Sequence, residues 1–268
     1  MINRTKIQSE FQNYVSNYDS EDPKVRLKIE HTYRVAQLCE RIARSLLMSE
    51  EEIDIAWVCG MLHDIGRFEQ IRRFHTFVDA KSVDHAKFGA ELLFRKENLI
   101  RDYMEETDWD GEIEMAVYWH SAYRLPEDLN EKQRQFCQIL RDADKLDILR
   151  VNVETPLEDI YNVTRKELQV SQVTSEVMKA VQEHHAVLRS VKKTPVDYVV
   201  GHICLIFELV YPRSCEILME QGYLERLLNF ESKNEETKKQ FAIIRKEIQK
   251  YLELMRCDVV ENKDAEAK

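Results

Sequence analysis

Met61-Leu62-His63-Asp64-Ile65-Gly66-Arg67 sets a histidine and an aspartate side by side where an apolar run, Ile53-Asp54-Ile55-Ala56-Trp57-Val58-Cys59-Gly60, comes to its end. Ser49-Glu50-Glu51-Glu52 ahead of that run reads as a capping box opening a helix, and Gly66 suits the left-handed residue that would close it. Successive helical residues diverge by about 100°, so His63 and Asp64 can approach one point from two sides. An imidazole beside a two-oxygen carboxylate makes a corner for a metal ion. A lone His-Asp pair arises often by chance. Other histidines and one later aspartate along the chain give this one its weight.

Composition narrows the setting. The 268 residues suffice for a sizeable core. With 44% hydrophobic and 33% charged residues the chain is that of a globular protein. Only 6 Gly and 5 Pro leave little punctuation, which favours long helices over a many-turned β fold. No uncharged apolar stretch reaches the roughly 18 residues of a membrane span, and the opening Met-Ile-Asn-Arg-Thr-Lys leads into a polar run unlike a signal peptide. The six cysteines, at 39, 59, 137, 204, 215 and 257, form no Cys-x-x-Cys and fall mostly on apolar faces. They read as reduced core thiols of a cytoplasmic protein. A net charge of −10 argues against binding to nucleic acid or to an anionic membrane. An anionic substrate would have to be drawn in by local cations.

Periodicity predicts a single all-α domain. A first helix runs over about 3–18, with Ile7, Phe11, Tyr14 and Tyr18 at helical spacing. Pro23 or Lys24 opens a long second helix whose stripe of Leu27, His31, Val35, Leu38, Ile42 and Leu46 turns His31 inward. The third helix carries His63 and Asp64. Residues 67–83 read as an aromatic and basic loop, with Phe68, Arg72, Arg73, Phe74 and His75. Asp84 caps a fourth helix with His85 in its first turn. A fifth, opened by Glu112, ends near His120, and a sixth runs from Glu131 to about Val151 with the polar insert Arg141-Asp142-Ala143-Asp144-Lys145-Leu146-Asp147. Further helices are expected at about Ser175–Val191, at Pro195–Tyr211 with Thr194 as cap, and at Glu235–Met255, before a charged closing stretch, Glu261–Lys268. His184 and His185 fall on a surface-type helix and His202 in a core stripe. The layout expected is an N-terminal helix over 1–24 packed on the domain, a core over 25–152, and a helical extension of the same domain over 153–268.

His31, His63, Asp64, His85, His120 and Asp144 are the polar residues that stand where apolar ones would be expected. Four histidines and two aspartates are too many for one tetrahedral structural zinc and suit a pair of metal ions. Asp64, with two oxygens, is the natural bridge between ions about 3.5–4 Å apart. Ligation by His and carboxylate without thiolate favours Mn or Fe, with Co, Ni, Mg or Zn in range.

This ordered set resembles the H…HD…D signature of the HD-domain metal-dependent phosphohydrolases over roughly residues 25–150. His31, His63-Asp64 and Asp144 match the signature, and Asp142-Ala143-Asp144-Lys145-Leu146-Asp147 is similar to the last motif of the family. His85, in Asp84-His85-Ala86-Lys87-Phe88-Gly89-Ala90, and His120 match the two extra histidines of its two-metal branch, which includes diadenosine tetraphosphatases and cyclic-dinucleotide phosphodiesterases. Arg67 replaces the Lys that the cyclic-dinucleotide enzymes tend to carry, their Gly-Tyr-Pro motif is absent, and His120-Ser121 replaces a frequent histidine pair. The resemblance implies hydrolysis of a phosphate ester or anhydride of a small molecule, a nucleotide first among them, by metal-activated water. Asp64, Arg67 and Lys145 are the candidate catalytic residues. Arg67, then Lys145, Arg72, Arg73 and Arg124, are the candidate phosphate contacts, because guanidinium and ammonium groups suit phosphate oxygens. Asp142 and Asp147 would orient ligands or Lys145, and Phe68, Phe74 and Tyr123 could stack on a base. Two rivals stand beside this reading. One is a one-metal nucleotidase or deoxynucleotide triphosphohydrolase in which His85 and His120 serve as acid, base or phosphate contacts. The other is a non-catalytic module that senses a nucleotide. A homo-oligomer is compatible with all three.

Overall fold

A computed structural model describes residues 2–266, and for Asp159 and residues 256–266 the backbone alone. Cys257 and the charged closing stretch lie outside the described side chains. The described residues are helical and contain no strand, as the scarcity of Gly and Pro leads one to expect. No helix among them is long and apolar enough to cross a membrane. Packing divides the chain into two compact units, Met1–Asp144 and Lys145–Lys268. The division falls inside one long helix, earlier than the break expected near residue 152. That the later helices extend the same domain remains a proposal.

The first unit holds α1 (Arg4–Val15), α2 (Pro23–Ser45), α3 (Glu50–Leu62), α4 (Ile65–Phe74), α5 (His85–Glu91), α6 (Ile100–Tyr103), α7 (Asp110–Trp119) and the first part of α8 (Glu131–Glu154). Local signals start these helices where they should. Asp22 accepts from the Lys24 amide with Pro23 in the first position of α2. Ser49 and Glu52 form the expected capping box of α3, and Asp84 accepts from the amides of Ala86 and Lys87 to open α5. The helix α3 is buried nearly all round, from Ile53 to Leu62. It can lie hard against α2 because residue 60 is glycine: a Cβ there would stand 2.5 Å from the Ala36 Cα.

Two expectations about the segment after Asp64 are corrected. Gly66 is not a left-handed cap, since among the described residues the glycine with positive φ is Gly222. Gly66 lies in the first turn of α4, where a Cβ would meet the His85 carbonyl oxygen at 2.4 Å and the Gly89 nitrogen at 2.7 Å. Its role is close approach of α4 to α5, and the left-handed residue closing α4 is His75, with φ 55°. Residues 67–74 are therefore helix, not loop. Ile65, Phe68 and Glu69 give α4 a buried face, and Phe68 packs edge-on against Phe11 and Tyr14. Fully buried, Phe68 is a core residue and is not exposed to stack on a base.

The second unit carries the remainder of α8 and then α9 (Leu157–Tyr161), α10 (Arg165–Val170), α11 (Ser175–Gln182), α12 (Pro195–Ile203), α13 (Pro212–Gln221), α14 (Tyr223–Leu228) and α15 (Glu235–Glu266). The Thr194 cap and Pro195 open α12 as expected, in a capping box closed by Asp197. Both α11 and α12 are shorter than expected. The chain leaves α11 after Gln182 and His184 takes φ 54°, while a tighter turn over Cys204–Glu208 replaces the end of α12. His184 therefore does not sit on a surface helix; its ring stacks on Phe207. His202 meets the Tyr161 hydroxyl at 2.8 Å. The five cysteines with described side chains are free and buried, as reduced core thiols would be.

Candidate metal centre

Four elements of the first unit, and the turn between α3 and α4, deliver the six polar residues to one place. His31 comes from the middle of α2, His63 and Asp64 from the turn, His85 from the first position of α5, His120 from the C-terminal cap of α7 and Asp144 from α8. All but Asp144 are almost fully buried.

The ligand atoms form two groups that share Asp64. In the first, His31 Nε2 lies 3.3 Å from His63 Nε2 and 3.1 Å from Asp144 Oδ1. Asp64 Oδ2 is 3.4 Å from His63 Nε2 and 3.7 Å from His31 Nε2. In the second, His85 Nε2 and His120 Nε2 are 3.1 Å apart. Asp64 Oδ1 lies 3.5 Å from the former and 3.8 Å from the latter. Metal bonds to these atoms are about 2.0–2.2 Å long, so neighbouring ligands of one ion stand roughly 3–3.5 Å apart. Most of the spacings found lie in that range, and those of His31 and His120 to Asp64 and of His63 to Asp144 are wider, at 3.7–4.0 Å.

Hydrogen bonding fixes which ring nitrogens face inward. His63 Nδ1 donates to the Gly60 carbonyl at 2.8 Å, and His120 Nδ1 to that of Val117 at 2.7 Å. His85 Nδ1 donates to Asp79 Oδ2 at 2.9 Å. With Nδ1 carrying the proton, each Nε2 presents a lone pair to the cluster. Lone pairs facing each other across 3.1 Å, as at His85 and His120, repel unless a cation lies between them. Asp64 Oδ1 is buried and accepts no hydrogen bond, an arrangement that is costly for an anionic oxygen with no ion beside it. The donor set fits divalent metal on both counts.

Electrostatics agree. Burial opposes ionisation of Asp64, but Lys28 first, then His63 and His85, outweigh it and hold the carboxyl well below the usual range. Burial likewise opposes ionisation of Asp144, and the hydrogen bond and charge of His31 overcome it. Burial, then Arg67, lowers His85. Burial, then the neighbouring His85 and His63, pushes His120 down to about 3. Both shifts favour the neutral imidazole, the form that ligates metal.

The candidate cations scatter. Arg67 reaches the cluster, its Nε 3.7 Å from Asp64 Oδ1, but its Nη1 donates to Gln70, the Phe77 carbonyl and Asp79, each at 2.7 Å. Its clamp role remains a proposal, with Nη1 already engaged. Arg72 and Arg73 both pair with Glu69 at 2.6 Å and are not drawn to the six ligands. Arg124 is exposed beside its neighbour Tyr123. Lys145 follows Asp144 on α8 and is buried. Asp147 pairs with Arg150 at 2.7 Å.

Two residues of the site escaped the sequence reading. Lys28 puts Nζ 2.6 Å from Asp64 Oδ2. The signal was available, since Lys28 precedes His31 by three residues and shares its helix face. Asp79, which joins Arg67 to His85, sits in a short turn after α4 where no periodicity marks it.

A family model described as HD domain matches residues 29–149. Neither the curated proteins nor the solved structures yield a match.

Proposed function

Because residues 29–149 of this chain are an HD domain, we propose that the protein is a metal-dependent phosphohydrolase acting on a phosphate ester or anhydride of a small molecule, with a nucleotide as the foremost candidate, at a site for two divalent ions. The observation that carries the reading is Asp64, whose two oxygens face two different pairs of imidazoles while one of them accepts no hydrogen bond. Bound ions would supply Lewis acidity and lower the pKa of a water from 15.7 toward about 7.

The chain's own residues do the rest. His31, His63, Asp144 and Asp64 Oδ2 would hold one ion, and His85, His120 and Asp64 Oδ1 the other. Asp79 fixes the ring of His85 and keeps its proton on Nδ1. Arg67 supports Asp79 and faces the bridging carboxylate. Burial of the ligands keeps bulk water from screening the charges that develop on phosphate oxygens. In a one-ion site His85 and His120 would be acid, base or phosphate contacts, and their Nε2 lone pairs would face each other across 3.1 Å with no ion between them. That favours two.

Metal counting tests the assignment. Protein reconstituted with Mn²⁺ or Fe²⁺ should hold close to two ions per chain, and His85→Ala or His120→Ala should hold one while keeping its fold. A wild-type value that stays near one would sink the two-ion reading. Nucleoside mono- and triphosphates, dinucleoside polyphosphates and pyrophosphate form the substrate panel. Hydrolysis of none of them by the Mn²⁺-loaded protein would leave the nucleotide-sensing module in its place.

A further inference from the structure

Lys28 lies on α2 one turn ahead of His31 and sets its Nζ 2.6 Å from Asp64 Oδ2. This is the oxygen that faces His31 and His63 in the first ligand group, so an ammonium occupies one lone pair of a candidate metal ligand. The lysine side chain is 21% exposed and that of Asp64 only 2%. The lysine side chain thus keeps some contact with solvent while its anionic partner has almost none. An ammonium carries three donors, and Asp64 Oδ2 takes one of them.

Charge accounting gives this position its meaning. Arg67 divides between Asp79 at 2.7 Å and Asp64 Oδ1 at 3.7 Å, whereas on Asp64 Oδ2, the oxygen turned to the first ligand group, the cation within hydrogen-bonding distance is Lys28. A divalent ion on Asp64 Oδ2 would take over the work of the ammonium with twice the charge. The two cations would then repel each other at close range in a site of low dielectric. An ammonium released there is stabilised by an anion, and a phosphoryl group approaching the ions is the anion that the site would receive.

We propose that Lys28 holds Asp64 until a metal ion displaces it, and that the freed ammonium then anchors the phosphoryl group of the substrate. One side chain is in turn a stand-in for the ion and a positioning residue for the phosphate. The inference rests on the two-ion phosphohydrolase reading above and adds to it a competition between Lys28 and metal.

The test uses full-length protein stripped with chelator. Mn²⁺ is titrated in and the free ion followed by its paramagnetic resonance signal; orthophosphate is then titrated into the Mn²⁺-saturated protein. Lys28→Met, which keeps the length and removes the charge, should bind Mn²⁺ roughly tenfold more tightly and orthophosphate roughly tenfold more weakly. Lys28→Arg should restore phosphate binding in part. Lys28→Gln serves as the second uncharged variant should the methionine variant not fold. Unchanged or weaker Mn²⁺ binding in the uncharged variant overturns the proposal, as does unchanged binding of orthophosphate. Failure of the underlying reading looks different. In that case wild type itself takes up no Mn²⁺ or hydrolyses no phosphate compound, whereas failure of this inference alone leaves both properties intact in wild type and unaltered by loss of the charge.

Discussion

Asp64 in the first unit and Asp197 in the second are both buried carboxylates, and their surroundings differ in kind. Asp197 Oδ1 accepts from the Thr174 amide at 2.9 Å. Its Oδ2 accepts from the Thr174 hydroxyl and from the amides of Lys193 and Thr194 at 2.9–3.1 Å. Those donors are amides and one hydroxyl, two amides from the local chain and the amide and hydroxyl of Thr174 from 23 positions earlier, so the carboxylate ties the loop before α12 to the start of α11. Asp64 receives one ammonium on Oδ2 and no hydrogen bond on Oδ1, in a ring of imidazole nitrogens. A buried carboxylate saturated by amides is architecture. One left half-satisfied among lone pairs is suited to hold a cation. The histidines repeat the contrast. His202 has the Tyr161 hydroxyl beside its Nδ1, whereas His85 and His120 turn their Nε2 atoms toward each other.

Substitution should separate the two carboxylates cleanly. Asp64→Ala removes the shared ligand, so metal content after Mn²⁺ reconstitution should fall from about two ions to near none. Hydrolysis should drop by roughly three decades, the rate equivalent of about 4 kcal/mol of lost charge stabilisation. Retention of both ions would erase the distinction drawn here. Asp197→Ala should do the reverse. It leaves three part-buried amides without their acceptor, each bond worth about 0.5–1.5 kcal/mol, so a loss of roughly 2–4 kcal/mol should appear in the urea midpoint while the folded fraction keeps its full complement of metal. Loss of metal in that variant would count against Asp197 as pure architecture.

A smaller effect is expected at Gly66. In Gly66→Ala the new methyl would sit 2.4 Å from the His85 carbonyl. Forcing α4 from α5 should cost about 1–3 kcal/mol of stability and displace His85, so that one ion is held less tightly than the other. Two ions bound with wild-type affinity would show that His85 tolerates the shift.

The smallest effect is on pH. His202 is pushed from 6.5 down to about 3, by burial first and then by Lys192 and Arg189. The unfolded chain therefore binds this proton more readily than the folded one between those values. The contribution of His202 to stability is whole above about pH 6.5 and is lost progressively as pH falls toward 3, about 1–2 kcal/mol by pH 5. His120, also pushed down to about 3, loses stability over the same window in metal-free protein. The depressed Asp64 and Asp144 add their loss only below the ordinary carboxylate range near 4. Urea midpoints measured from pH 7 to 5 should fall, and His202→Gln should flatten part of that slope. A slope unchanged by the substitution would show that His202 protonates in the fold.

Much of this was legible in the chain because it is local. Asp22, Ser49, Asp84 and Thr194 cap the helices that follow them as their side chains dictate, and the buried stripe of α2 turns His31 inward. The six candidate ligands could be named from residue type and order. What only the tertiary structure decided is how they group around the Asp64 carboxylate and what attends them. His31 meets His63 across 32 positions of sequence and His85 meets His120 across 35, and those meetings depend on helices crossing where Gly60 and Gly66 leave room for a neighbouring backbone. Gly66 looked like a left-handed stop because the packing that demands a glycine there comes from Gly89 and His85, far along the chain. Lys28 and Asp79 went unnoticed for the same reason. A lysine on a helix and an aspartate in a turn are ordinary residues until the fold brings the Asp64 carboxylate and the His85 ring within hydrogen-bonding distance of them.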